Sequence, residues 1–127
     1  MAMTLQGVIF TIRRCSLMRT ALSWVHSMYQ RGTDPAELAK MDEYEQGKLI
    51  FNKIKGMVEA AGGAMADVVK VTIYVTNIKN NTKVWAARRE FFTGDFPAST
   101  LVEVSALAAP EILVEIEAIA HIGKGKR

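Results

Sequence analysis

The acidic residues near the C-terminus are the side chains best suited to chemistry in this sequence. Glu115 and Glu117 alternate with Val114, Ile116 and Ala118, a pattern typical of a strand. A carboxylate on a half-apolar strand can have its pKa raised at an interface, and can then act as a general acid or base through a water. Glu115 is the candidate for this role. The ordinary alternative is a solvated or salt-bridged strand residue, as Glu117 is expected to be.

Aromatic residues and histidines give weaker signals. His26 could carry a proton, while His121, just beyond the last apolar residues, is expected at the surface. Trp85 could form a wall of a binding cleft or anchor its helix on a sheet. Tyr74 lies on the polar-looking face of its strand, where packing at an interface is a more ordinary role than chemistry.

Several other kinds of site are not indicated by the sequence. No HxH, CxxC or carboxylate cluster has metal-ligand spacing, and a single cysteine, Cys15, cannot form an internal disulfide. Gly62-Gly63 lacks the GxxxxGK[ST] pattern of a phosphate loop. The sequence therefore predicts neither a metal nor a cofactor.

Composition favours one globular domain over residues 1–127, because half of the residues are hydrophobic and 23% are charged. The net charge of +3 is only mildly basic, and much of it lies in the tail at 124–127, which can contact few phosphates. We therefore do not expect nucleic acid as a partner. No apolar run reaches eighteen residues and no signal peptide is evident, so we expect a soluble, cytoplasmic protein without a membrane.

Hydrophobic periodicity predicts the order β-β-α-β-α-β-β, although residues 21–28 fit either a strand or a helix. The clearest helix begins near Asp42 and Glu43 and ends at Gly62-Gly63. Asn80-Asn81-Thr82 offers N-caps for the second helix. The predicted elements are strands at 5–12 and 21–28, a helix at 41–61, a strand at 69–76, a helix at 80–92 and strands at 99–105 and 112–119.

The predicted sheet is mixed or antiparallel and has two helices on one face. Its other face would expose Leu101, Leu113 and Ile119, which are too apolar to lie in water. Burial of this face by self-association is therefore expected.

Three blocks of the sequence resemble the YjgF/Rid family of reactive intermediate/imine deaminases, also labelled endoribonuclease L-PSP. Residues 62–75, GGAMADVVKVTIYV, are similar to its AGxxxxDVVKxTVYV strand. Residues 91–98 contain the FF and FPA of its YxxFFxxxFPA segment, and residues 114–120 read VEIEAIA. The N-terminal half, above all residues 11–31, matches poorly.

The resemblance implies an α+β, chorismate-mutase-like fold, with a strand rather than a helix at 21–28. It also implies a homotrimer in which three sheets pack as a barrel, with clefts at the subunit interfaces. Glu115 then corresponds to the cleft glutamate of the family, which helps to hydrolyse an imine to a ketone and ammonia.

Ser99 is the main departure from the family pattern. The family has an arginine there that binds the carboxylate of a small imino acid, and a hydroxyl cannot replace its bidentate charge. Arg88 or Arg89 could supply the missing cation from another direction, and Arg88 stands where the family has tyrosine. The residues predicted to bind the ligand are Ser99, Leu101, Trp85, Arg88 and His26.

The leading hypothesis is therefore a homotrimer that binds a small metabolite in its interface clefts. The reaction implied is hydrolytic deamination of an enamine or imine through Glu115, with Ser99 arguing against the usual 2-iminopropionate substrate. The alternative is a non-catalytic ligand-binding or interaction module. RNA cleavage is less favoured, because the basic excess is small and the sequence offers no identifiable histidine pair.

Overall fold

The computed structural model of the protein describes residues 2–5, 8–11, 21–26 and 34–123. Cys15 and the tail at 124–127 lie outside the described residues. The elements are β1 (Ala2–Leu5), β2 (Val8–Thr11), β3 (Ala21–His26), α1 (Pro35–Ala39), α2 (Glu43–Ala60), β4 (Val68–Val75), α3 (Asn81–Phe91), β5 (Ala98–Glu103) and β6 (Val114–His121).

The N-terminal segment corrects the prediction of one strand at 5–12. Strands β1 and β2 pair antiparallel, with Ala2 opposite Thr11 and Leu5 opposite Val8. Only two residues separate them in sequence, and one is Gly7, a common signal for a hairpin that the alternating pattern obscured. The strand interpretation of 21–28 is confirmed for β3, and residues 27–28 lie outside the described part.

Helix α1 was not predicted, since no element was expected between the strand at 21–28 and the helix at 41–61. The Asp34 side chain accepts a hydrogen bond from the Ala36 N–H at 2.9 Å, and Pro35 occupies the first turn of the helix. Both are favourable at a helix start. A helix of five residues is too short to show a 3.6-residue period, so the start signal was the only sequence evidence for it.

The main sheet is mixed, as predicted, with the strand order β3-β6-β4-β5. Strand β6 pairs antiparallel with β3 and with β4, whereas β4 and β5 run parallel. Parallel neighbours need a crossover connection, and α3 lies within the segment that joins these two strands.

Helices α2 and α3 cover one face of this sheet, which confirms the predicted layering. Phe51 of α2 contacts the rings of Phe91 and Phe92, with centroid distances of 5.5 and 5.7 Å. Burial alternates strictly along β6, so that one side of the strand faces the core. The fully buried core residues include Ile50, Phe51, Ile54, Val58, Val71, Ile73, Val75, Val114, Ile116, Ala118 and Ala120.

The ends of α2 follow the sequence signals closely. Asp42 caps its start through a capping box with Glu45, in which each side chain accepts from the other residue's backbone N–H. Gly62 follows the helix with φ of +87°, a conformation that favours glycine. At Gly63 an added Cβ would lie 2.5 Å from Ile122 Cδ1 and 2.8 Å from Asp67 Oδ2, so a side chain there would force these neighbours to move.

The start of α3 differs from the prediction. Asn80 is the N-cap residue, but its side chain forms no capping hydrogen bond. Its amide instead donates to Glu43 Oε1 at 2.7 Å, and Lys83 Nζ lies 3.8 Å from the other oxygen of this buried carboxylate. Asn80 therefore joins the two helices rather than capping one.

Strand β6 is held at its start by the buried amide of Gln46. Gln46 Oε1 accepts a hydrogen bond from the Leu113 N–H at 2.8 Å, and Gln46 Nε2 donates to the Glu111 carbonyl at 2.8 Å. The same nitrogen lies 3.4 Å from the carbonyls of Leu38 and Met41. One side chain of α2 thus fixes both the turn after α1 and the entry into β6.

A buried carboxylate holds the segment that follows β6. Asp67 Oδ1 accepts from the Gly123 N–H at 3.1 Å, and Asp67 Oδ2 accepts from the Ala64 N–H at 2.9 Å. Asp67 ends a short turn of 3₁₀-helix immediately before β4. The two ends of β6 are therefore tied to different parts of the core.

Replacing Gln46 with alanine is expected to lower the free energy of unfolding by about 2–4 kcal/mol, because a half-buried N–H and a half-buried carbonyl lose their partners and a fully buried side chain is removed. Asn52→Ala, on the exposed side of the same helix, is the matched control and should change it by less than about 0.5 kcal/mol. Denaturant titration of both variants measures the difference. Equal stabilities would contradict the anchoring role of Gln46.

Candidate functional site

A cleft lies on the face of the sheet opposite the helices. Its volume is about 330 Å³, and it is lined by Tyr74, Leu107, Glu115 and Glu117. We call it the Glu115 cleft. Three of its four lining residues come from the two central strands, so the rigid part of the sheet forms its floor.

Strand register brings the polar groups together. In the antiparallel pair β4–β6, Tyr74 stands opposite Glu115 and Thr72 opposite Glu117. Side chains at i and i+2 of a strand share a face, so both carboxylates point to the same side. Tyr74 reaches diagonally, and its hydroxyl donates to Glu117 Oε2 at 3.3 Å.

Burial and like charge perturb the acids in this cleft. Burial is the main cause that raises the pKa of the Glu115 carboxyl, and the negative charge of Glu117 raises it further. Burial likewise raises the pKa of the Tyr74 hydroxyl, with the charge of Glu117 as the second cause. Tyr74 is therefore a neutral donor, and Glu115 takes up a proton at a higher pH than an ordinary glutamate.

This arrangement can perform acid–base chemistry on a small molecule. Glu115 is half-buried and its carboxylate lines an open space large enough for a few atoms and a water. A general base must be within hydrogen-bond reach of the proton that it removes, directly or through one water. Within the described part of the chain, no group of three or more His, Cys, Asp or Glu residues could hold a metal ion.

The predicted binding residues on β5 lie away from the Glu115 cleft. Leu101 is opposite Ile73, whose side chain is buried, and Leu101 itself packs against the core. The prediction that Leu101 lies on the uncovered face is therefore wrong, because the parallel register with β4 places it on the helix side. Ser99 is opposite Val71 in the same register, and its side chain is exposed.

The predicted binding residues on α3 do not line the Glu115 cleft either. The Arg88 guanidinium lies over the Phe96 ring, 5.2 Å from its centroid, and its Nε is buried without a hydrogen-bond partner. Trp85 is exposed on the same helix, with 36% of its surface accessible. Of His26, the structure describes only the backbone, which pairs with Ile116 at the end of β3.

Sequence reasoning missed two features. Tyr74 and Glu117 were interpreted as packing and ordinary strand residues, yet both line the cleft. The i, i+2 spacing of Glu117 from Glu115 was the available signal, whereas the position of Tyr74 depends on the register between β4 and β6. A second, larger cavity of about 460 Å³ lies beside Phe96, between the starts of β4 and β5 and the end of α3.

Known proteins of similar sequence identify the family of this chain. The family model described as endoribonuclease L-PSP matches residues 20–122. The chain belongs to the YjgF/Rid family. In this Rid-family chain, the matched region includes the whole main sheet and the helices that cover it.

Individual relatives agree with this assignment. A RutC family protein of Pyrococcus abyssi is 39% identical over 88 residues, which are 69% of this chain and 68% of that protein. The crystal structure of the YjgF gene product from E. coli is 32% identical, has a TM-score of 0.68 and is covered over 80% of each chain. These similarities confirm the expected YjgF fold.

A structure from Pseudomonas aeruginosa is similar at higher identity. It is 46% identical with a TM-score of 0.64, and the match covers 65% of this chain and 60% of that one. It is described as a protein of unknown function, so it gives no information about activity. In the described part of this Rid-family chain, no helix is long and apolar enough to cross a membrane.

The raised pKa of Glu115 has a consequence for stability. A carboxyl whose pKa is higher in the folded state costs the folded protein stability as pH rises through that pKa. Glu115→Gln removes the charge and keeps the shape, so it should raise the free energy of unfolding near neutral pH.

This gain should vanish well below 4.5, the ordinary glutamate pKa, because the wild-type carboxyl is then protonated both folded and unfolded. Glu59→Gln, at an exposed position of α2, is the control. Denaturant titrations at the two pH values measure the difference. A stability gain of the same size at both would show that the carboxyl of Glu115 carries no folding-dependent pKa shift.

Proposed function

We propose that this Rid-family chain binds a small metabolite in the Glu115 cleft and hydrolyses an enamine or imine there. The observation that carries the proposal is the half-buried carboxylate of Glu115, whose pKa is raised by burial, in an open cleft between the central strands. A carboxyl with a raised pKa is suited to take up and return protons near neutral pH.

The proposed reaction has a simple balance. Glu115 removes a proton from a water as the water oxygen bonds to the carbon of the protonated imine, and it returns this proton to the nitrogen of the resulting carbinolamine. Glu115 then removes the hydroxyl proton as the carbon–oxygen double bond forms and the carbon–nitrogen bond breaks. The ammonia that leaves takes up this second proton, so the products are a carbonyl compound and ammonium. Tyr74 opposite Glu115 fixes the neighbouring carboxylate through its hydrogen bond to Glu117, so Glu115 is the carboxyl left for the water.

We also propose that the protein, as one unit over residues 1–127, forms a homotrimer that closes the cleft. The uncovered face of the sheet carries Ile119, which is only half-buried in the single chain, and Val102, which pairs with Tyr74 and is exposed. Apolar side chains on a sheet face favour burial against another sheet. A partner at this face would also shield Glu115 from bulk water.

Ser99 separates this proposal from the reaction of arginine-bearing relatives. Without an arginine at position 99, a substrate carboxylate loses its bidentate partner. The other predicted binding residues, Leu101, Trp85, Arg88 and His26, keep a proposed role only if a neighbouring subunit or a ligand reaches them. We therefore propose a substrate other than 2-iminopropionate.

Two alternatives are separated by experiment. A non-catalytic binding module would be stabilised by ligands without consuming them. RNA cleavage, suggested by the description of the family model, is disfavoured by the two carboxylates that line the cleft, because these repel a phosphate backbone. A cytoplasmic location stays a prediction of the sequence.

The assay generates imines from a panel of amino acids and amines with the matching oxidases, and follows ammonia release. The wild type should accelerate hydrolysis of some members, and Glu115→Ala should lower this rate about 100-fold or more. Glu59→Gln is the control and should keep the wild-type rate. If the protein accelerates the hydrolysis of no imine but is stabilised by a ligand, the proposed enzymatic activity is contradicted and the non-catalytic binding module is favoured.

Restoring the arginine tests the role of position 99. In the proposed homotrimer, where position 99 would reach the Glu115 cleft of a neighbouring subunit, Ser99→Arg should raise kcat/KM for 2-iminopropionate about tenfold or more, since a charged hydrogen bond contributes about 1.5–3 kcal/mol. Asn52→Arg, at an exposed position of α2, is the control and should give no gain. Equal effects of the two variants would show that position 99 does not face the substrate carboxylate.

A further inference from the structure

We propose that Glu117, held by Tyr74, makes the Glu115 cleft selective for a substrate that carries an additional positive charge. The substrate class is an aminoalkyl imine, of the kind formed by oxidation of a diamine, without a carboxylate. This inference deepens the proposed function and rests on it.

The first support is the charge of the lining. Two of the four residues that line the cleft are glutamates, and the other two are Tyr74 and Leu107. Among the ion pairs of the described residues, none involves Glu115 or Glu117. The net charge of the chain is +3, so the acidic character of this cleft is local and does not follow from composition.

The second support is the position of the basic side chains on the same face. Lys70 is exposed and lies four residues from Tyr74 along β4, roughly 13 Å away at the rise of a strand. His121 lies four residues from Glu117 along β6, at a similar distance. Neither lines the cleft, so among the described residues the charges that line it are the two carboxylates.

The third support is the different state of the two carboxylates. Glu117 accepts a hydrogen bond from the Tyr74 hydroxyl at 3.3 Å, through one of its two oxygens. This hydrogen bond holds the Glu117 carboxylate in place and leaves its second oxygen for a ligand. Glu115 differs, since burial and the charge of Glu117 both favour its protonated form. Glu117 is thus the carboxylate held by a hydrogen bond, and Glu115 is the proton carrier.

The distance between Glu115 and Glu117 determines the length of substrate that can contact both carboxylates. Positions 115 and 117 are two residues apart on one strand face, roughly 7 Å by strand geometry. A chain of four carbons between two nitrogens spans a similar distance. The imine nitrogen would then lie at Glu115 and the ammonium group at Glu117.

Written with its charges, the reaction is H₃N⁺–R–CH=NH₂⁺ + H₂O → H₃N⁺–R–CHO + NH₄⁺. The carbon–nitrogen double bond is replaced by a carbon–oxygen double bond, and no electrons are transferred. The reaction that supplies such a substrate must be the two-electron oxidation of a primary amine to its imine. The product is an aminoaldehyde.

Binding of stable probes tests the charge selectivity without turnover. Calorimetric titration of the wild type should give a Kd for 1,4-diaminobutane about tenfold or more below that for butylamine, with no binding of butyrate. Added salt should weaken the diamine most, because the attraction is between charges. Glu117→Gln should bind diamine and monoamine equally, while Glu59→Gln keeps the wild-type preference.

A second variant tests the inference even if Glu117→Gln does not fold. Tyr74→Phe keeps the ring and removes only the hydroxyl that holds Glu117, so it should reduce the preference for the diamine without abolishing it. Butyrate binding as tightly as the diamine, or a diamine preference that survives both substitutions, would overturn the inference.

Turnover then separates this inference from the proposed function. Imines made with an amine oxidase from 1,4-diaminobutane should be hydrolysed faster than imines made from amino acids. Diamine binding without hydrolysis of any imine would contradict the proposed hydrolytic activity and support the charge selectivity. Hydrolysis of amino-acid imines without any preference for diamines would support the hydrolytic activity and contradict the charge selectivity.

Discussion

The position of β6 is the constraint on which the rest of the structure depends. This strand is central in the sheet, contributes four buried residues to the core and carries both cleft glutamates on its other face. Gln46 holds its entry and Asp67 holds the residue after its end, each through hydrogen bonds to backbone groups. A shift of one residue would exchange its two faces, so these buried polar groups also fix where the carboxylates point.

The two faces of the sheet differ in composition and burial. The helix-covered face is apolar and closely packed, and an added Cβ at Gly47 of α2 would lie only 3.3 Å from Ala87 of α3. The uncovered face combines apolar residues with Tyr74, Glu115 and Glu117, at partial exposure. Partial burial strengthens the repulsion between the two carboxylates and the effect of desolvation on Glu115. The chemistry proposed for the cleft therefore comes from the incomplete burial of this face.

The sequence predicted much of the fold because its signals were local. Alternating β-branched residues marked β4, the capping box marked α2, and glycines marked its end. The hairpin β1–β2 and helix α1 were missed, since elements of four or five residues are too short for periodicity to be decisive. Asn80 was misjudged as a cap because its partner, Glu43, is 37 residues away in the chain, a distance that local patterns do not reach.

The candidate site was predicted less completely than the fold. Glu115 was found, but its neighbours Tyr74 and Glu117 depend on the register between β4 and β6, which the sequence does not state. Leu101 was placed on the wrong face for the same reason, through the register of β5 on β4. The resemblance to relatives drew attention to position 99, whereas the cleft is formed elsewhere on the sheet.

The pH dependence of kcat/KM for imine hydrolysis tests the central claim most directly, because its acidic limb reports the pKa of the essential base in the free enzyme. If Glu115 is that base, the limb lies above the ordinary glutamate value of 4.5 and moves to lower pH in Glu117→Gln, where one cause of the raised pKa is removed. An acidic limb at the ordinary value, or one that Glu117→Gln leaves unmoved, would contradict the assignment of the Glu115 cleft as the reacting site.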